Sequence, residues 1–192
     1  MSGRRSRGRL NEGVILFVLF FGPVFAALVA YLGPWEVVPD RSTAYGVLID
    51  PARPLPEQPS VAQRTGVADD GSWLTGRWSL IYLSEAACAQ SCKEWLSTLG
   101  RIHKALAEDQ GRVQPVFLHA ESIPAAAVSS FLNVSVEGAA AARLVAELTA
   151  AHPGPIYISD PLGNLVLAYP ANARDKGILK DLERLLRLSR IG

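Results

Sequence analysis

Cysteine is scarce in this chain: Cys88 and Cys92 are its only two, which excludes the four-cysteine pairings of structural zinc sites. Histidine is nearly as rare, with His103, His119 and His152 alone, and no Ser/His/Asp set of a hydrolase can be assembled. No glycine-rich loop of the kind that cradles phosphate occurs. Charge of one sign is not in excess either. Lys and Arg number 19 against 18 Asp and Glu, so nothing in the overall balance points to a nucleic-acid partner. The 192 residues suffice for one globular domain of ordinary size plus appendages.

What is present centres on Trp78-Ser-Leu-Ile-Tyr-Leu-Ser-Glu-Ala-Ala-Cys88-Ala-Gln-Ser-Cys92-Lys-Glu-Trp95. An apolar strand-like run, Trp78 to Leu83, passes through small residues into both cysteines, which open a helix. If that helix begins near Cys88, positions i and i+4 share a face and the two sulfurs meet in front of its first turn. The unpaired N–H groups and positive dipole there favour thiolate, as does Lys93, making a better nucleophile and a better soft-metal ligand. A structural disulfide, or two buried small hydrophobes, fits the same residues.

Upstream, Arg4, Arg5, Arg7 and Arg9 crowd a short tail, residues 1–12. Behind it, residues 13–32 carry no charge and match the roughly 20 residues needed to span a bilayer as a helix. Basic residues stay on the cytoplasmic side, so the tail is expected in the cytoplasm and the C-terminal domain in the periplasm or an equivalent space, with a single pass through a bacterial inner membrane. A cleaved signal peptide competes with this reading. The apolar run exceeds the usual h-region of about 7–15 residues, and no clear Ala-x-Ala site follows. Residues 33–70 contain Pro34, Pro39, Pro51, Pro54, Pro56 and Pro59 and read as a tether or strap, within which Tyr45-Gly-Val-Leu-Ile is a possible strand.

The globular domain is expected from residue 71 to 192. Trp95, Leu96, Leu99, Ile102 and Leu106 mark an amphipathic helix ending near residues 109–111, and Val113–Leu118 a second strand joined to the first by a right-handed crossover. Helices are expected over 125–132 and 139–150. Ile156–Ile158 and Leu165–Tyr169 flank the turn Asp160-Pro-Leu-Gly-Asn164 as a hairpin, and a last helix runs over 175–189. The order β-α-β-α-β-β-α is that of an α/β, thioredoxin-like fold carrying an N-terminal transmembrane helix.

This order and these motifs resemble the Sco/SenC family of membrane-anchored copper chaperones. In that family a strand leads into Cys-x-x-x-Cys at a helix start, as Trp78–Leu83 leads into Cys88-Ala-Gln-Ser-Cys92 here. Its third copper ligand is a histidine five residues before an aromatic that opens a strand into a Pro-x-Gly hairpin. His152 stands five before Tyr157, and Tyr157-Ile-Ser-Asp-Pro-Leu-Gly163 follows. The segment Tyr45 to Pro56 also looks like small bacterial membrane proteins associated with cytochrome oxidase assembly. Departures are specific: Ala89 and Lys93 replace the family's prolines, Ala151 its acidic residue, and the stretch from Cys92 to His152 is short. The chain reads as a divergent branch.

The resemblance implies copper held by Cys88, Cys92 and His152, a copper-bearing subunit of cytochrome c oxidase or another assembly factor as partner, and a role as metallochaperone or assembly factor. Two thiolates and an imidazole suit soft Cu(I) and tolerate Cu(II). His103 lies about 16 Å along the helix from Cys92 and reads as a solvated helix residue. His119, ending the second strand, is the alternative nitrogen. Glu85 and Glu94 flank the cysteines as solvated charges. The competing class is a thiol–disulfide oxidoreductase in which Cys88 and Cys92 form a redox pair and no metal is needed. A catalytically silent docking scaffold is the third.

Overall fold

A computed structural model describes residues 7–32, 43–56, 73–119, 130–136 and 138–189. They fall into two compact units, one over residues 1–41 and one over 42–192. The first consists of α1 (Arg7–Leu32), which starts upstream of the apolar run proper and contains Pro23. From Glu12 to Val29 it is long and apolar enough to cross a membrane, and none of that stretch is buried. A helix apolar on every side suits lipid and not water.

The second unit is a six-stranded mixed sheet in the order β1-β6-β5-β2-β3-β4. Its strands are β1 (Val47–Pro54), β2 (Trp78–Ser84), β3 (Val113–His119), β4 (Leu132–Ser135), β5 (Ile156–Ser159) and β6 (Asn164–Tyr169). The helices are α2 (Gln90–Ala105), α3 (Ala139–Ala151) and α4 (Asp175–Leu188), and a 3₁₀ turn, Ala107–Arg112, links α2 to β3. β2, β3 and β4 are parallel, while β5 runs antiparallel to both β2 and β6. This is the α/β, thioredoxin-like arrangement expected from the order of elements.

Side chains alternate across β2 and β3, so both faces are covered, as a sheet with parallel central strands requires. Leu80, Tyr82 and Phe117 face α2 and α4 together with Leu96, Leu99, Ile178 and Leu182. Ile81, Leu83, Val116 and Leu118 face α3 through Leu144 and Leu148. Each fully buried leucine contributes about 1.5–3 kcal/mol.

Three elements differ from the sequence reading. Part of the segment read as a tether or strap belongs to the sheet, because residues 47–54 add β1 to its edge along β6. Val47 pairs with Ala168 and Leu48 with Leu167 before the register shifts. The strap is held by Asp181, a buried residue of α4, whose carboxylate accepts from Tyr45 N and Gly46 N and from the Tyr169 hydroxyl, each at 2.9 Å. Gly177 admits it, since a Cβ there would stand 2.9 Å from Tyr45 Cβ. Second, Leu132 starts β4 where a helix was expected to end. Leu132 and Val134 are buried and alternate with Asn133 and Ser135, a period of two that follows β3 and not a helix. Residues 125–129 of that expected helix lie outside the described residues. Third, α2 begins at Gln90, so Cys88 precedes the helix and Cys92 sits in its first turn.

Candidate functional site

Strand directions bring four segments to one edge of the sheet. β2 and β3 end there, β5 begins there, and β6, antiparallel to β5, ends there before α4. The edge thus collects the cysteine loop, His119, the His152–Pro155 turn and the start of α4. A hydrogen bond from Leu83 N to Pro155 O, 2.8 Å, ties the His152 turn to the end of β2.

Cys88 and Cys92 form a disulfide with their Cα atoms 5.2 Å apart, inside the range such a bridge needs. The two sulfurs are not equivalent. Cys92 is 4% exposed within the core cluster under α2, whereas Cys88 is half-buried at its margin. No side chain caps the helix at Ala89, so the N–H groups of its first turn remain available beside the sulfurs. Those groups and the dipole stabilise a thiolate on reduction. Glu94 is exposed and accepts from Gln90 Nε2 at 3.0 Å, and Glu85 is exposed, as expected of solvated charges. A cleft of about 450 Å³ runs between α2 and the start of α4, with Ser91, Trp95 and Thr98 on one wall and Ala173 and Arg174 on the other.

His152 caps the C-terminus of α3. Its carbonyl accepts from the Tyr157 hydroxyl and from Gly154 N, both at 2.9 Å. Its Nδ1 is buried with no hydrogen-bond partner, and a Cβ on Gly154 would lie 2.9 Å from that atom. Burial pushes the Tyr157 phenol up to about 12, and the charge of Glu85 adds to the effect, which relates the cysteine loop to this turn. His119 pairs in register with Ser84 and stacks on Phe117 at 5.0 Å, on the face that α2 covers. Its Nδ1 is likewise buried and unpaired. His103 is not a solvated residue: it is half-buried, and its Nε2–H donates to Val113 O at 2.8 Å. The last turn of α2 folds back over the 3₁₀ turn and gives the ring this backbone partner.

Two cysteines and an imidazole are the right donor types for copper. In the disulfide state both thiols are consumed, and among the described residues no three His, Cys, Asp or Glu side chains gather closely enough to hold a metal. The geometry present is therefore that of a dithiol/disulfide pair, with His152 and His119 on the same edge.

Sheet order, helix placement and a disulfide at the mouth of α2 define a thioredoxin-like protein. Residues 78–189, more than half of the chain, match the model of the transmembrane-like, thioredoxin-like C-terminal domain family, and the chain belongs to that family. Comparison with curated proteins returns no match. Among solved structures it is similar to apo Sco1 from Thermus thermophilus, at 22% identity over 76% of this chain and 99% of that one, with a TM-score of 0.57. It is also similar to a putative electron transfer protein from Aquifex aeolicus, at 12% identity over 72% and 97% of the two chains and a TM-score of 0.52. Yeast Sco1 with copper bound aligns at 23% identity over 60% and 82%, TM-score 0.46. At these identities the likeness is one of fold.

Sequence reasoning did not find Asp181 or the cleft beside Trp95. A lone acid on a leucine-striped helix gives no signal of burial, and the cleft is made by segments far apart in the chain.

Proposed function

We propose that this protein is a membrane-anchored thiol–disulfide exchange factor of the thioredoxin-like class, with Cys88 as the attacking and Cys92 as the resolving residue. The observation that supports this is the asymmetry of the pair: one half-buried sulfur ahead of the helix and one buried in its first turn. In the reduced protein the Cys88 thiolate attacks a partner disulfide and one partner sulfur leaves as thiolate. Cys92, deprotonated in turn, then attacks the Cys88 sulfur and releases the second partner thiol. The pair ends as the disulfide, the partner gains two electrons and two protons, and the reverse sequence oxidises a partner dithiol. Residues 1–12 lie in the cytoplasm, residues 13–32 cross the inner membrane, and the domain works in the periplasm, an oxidising space in which a disulfide forms and persists.

A second reading is favoured by one feature: two histidines with unpaired buried nitrogens share the edge with the cysteines. On this reading the reduced dithiol and His152 carry copper as cargo to the copper-bearing subunit of cytochrome c oxidase, as the Sco/SenC resemblance implies. Apo Sco1 from Thermus thermophilus is similar in fold. Anaerobic Cu(I) titration of the reduced full chain, with Cys88→Ser and His152→Ala beside it, separates the two. Stoichiometric binding lost in both variants supports copper delivery. Absence of binding with exchange activity intact supports the redox reading alone.

A further inference from the structure

The outward side of α4 has a composition that neither reading uses. At 3.6 residues per turn, Lys176, Lys180, Arg184 and Arg187 fall on one side, opposite the buried Ile178, Leu182 and Leu186. All four are exposed, and Glu183 is the one acid among them. Lys176 and Arg187 have no ion-pair partner among the described residues. Two apolar groups adjoin the cations. Tyr45 is 62% exposed with Lys180 Nζ 5.6 Å from its ring centroid, and Leu188 is 74% exposed.

The chain's own connectivity bears on what this face meets. Arg184 donates to the Thr43 hydroxyl, and Asp181 fixes Tyr45 and Gly46, so the chain enters the domain alongside α4. Residues 33–42 alone separate Leu32 from that point, a contour of at most about 35 Å. If α1 spans a bilayer, the cationic side of α4 is therefore confined within reach of headgroups. Exposed cations beside a tyrosine and a leucine suit an anionic lipid surface, which attracts the charges while the apolar groups enter the interface.

We propose that α4 docks on the anionic surface of the bilayer in which the chain is anchored, through Lys176, Lys180, Arg184 and Arg187, with Leu188 entering the interface. Docking fixes which way the disulfide edge faces. The proposal rests on the membrane anchor and is independent of whether the cysteines exchange disulfides or carry copper.

The test uses the full chain in nanodiscs of phosphatidylcholine with or without phosphatidylglycerol. A fluorophore is attached at Leu188→Cys under non-reducing conditions, and quenching by headgroup-labelled lipid is measured. Each basic residue at an anionic surface favours the docked state roughly fivefold, so Lys176→Glu with Arg187→Glu is expected to shift the docked ratio by at least about 25-fold. Neither residue belongs to the strap contacts, and an unchanged melting temperature confirms the fold. The expected result is quenching with phosphatidylglycerol, lost on charge reversal and in high salt. Equal quenching in both lipids, or none in either, overturns the proposal. Failure of the chain to enter nanodiscs refutes the anchor and the docking together, whereas loss of thiol exchange with quenching retained refutes only the redox reading.

Discussion

Replacing Asp181 by Ala cuts the attachment of the strap, and the expected loss follows from its hydrogen bonds. The carboxylate accepts from Tyr45 N, Gly46 N and the Tyr169 hydroxyl. Tyr45 N is only part-buried and turns to water in the variant, but the Gly46 N–H and the Tyr169 O–H are buried and become unpaired. Each costs about 1–3 kcal/mol, and relief of the buried charge returns part of the sum, leaving a net loss of about 3 kcal/mol. For a domain of this size that lowers the melting temperature by about 6–12 °C. Asp181→Asn retains one acceptor oxygen and loses about half as much. The assays are guanidinium unfolding and hydrogen exchange at Tyr45–Leu48, whose amides lose protection first because β1 pairs only with β6. A loss under about 1 kcal/mol, with those amides protected as before, refutes the account of the strap.

Other consequences can be checked directly. Gly154→Ala sets a methyl group against the Tyr169 carbonyl and His152 Nδ1, and is expected to destabilise by about 2 kcal/mol and shift the His152 ring resonances. Tyr157→Phe removes the donor to His152 O and costs about 1 kcal/mol in chemical unfolding. Stability should also fall on the alkaline side. Tyr157 is raised from 10.0 to about 12, and Tyr169 is raised by burial and by the charge and hydrogen bond of Asp181. Both folded-state values exceed the unfolded one, so the stabilisation is complete below pH 10, and the Tyr157 contribution is lost as pH climbs through about 12. Tyr157→Phe flattens that limb in pH-dependent unfolding.

β2, β3 and β5 were legible in the sequence as short apolar runs, buried on both faces of the sheet, and α4 by its leucine stripe. The hairpin was legible from chemistry: Asp160 Oδ1 accepts from Leu162 N and Asn164 N at 2.9 and 2.8 Å, the turn bonding its residue type implies. β1 was partly hidden, since Pro51 and Pro54 gave its surroundings the look of a tether, while what holds it is a contact across 135 residues, from Gly46 to Asp181. β4 is four residues long and lies next to an alanine-rich run that reads as helix. At the site, the cysteine pair was readable from spacing alone. The difference in burial between Cys88 and Cys92 was not, because it depends on Cys92 belonging to a core cluster assembled from distant strands and helices, with Cys88 at its margin. The stacking of His119 on Phe117 follows from their i, i+2 places on one face of β3.

The central claim is that Cys88 is the sulfur that meets partners and Cys92 the one that resolves. Reduced full-length protein carrying Cys92→Ser, mixed with a model disulfide peptide and analysed by intact mass, tests it most directly. A stable mixed disulfide through Cys88, with little or none from Cys88→Ser, is the result this account predicts; equal trapping by both variants, or trapping by Cys88→Ser alone, contradicts it.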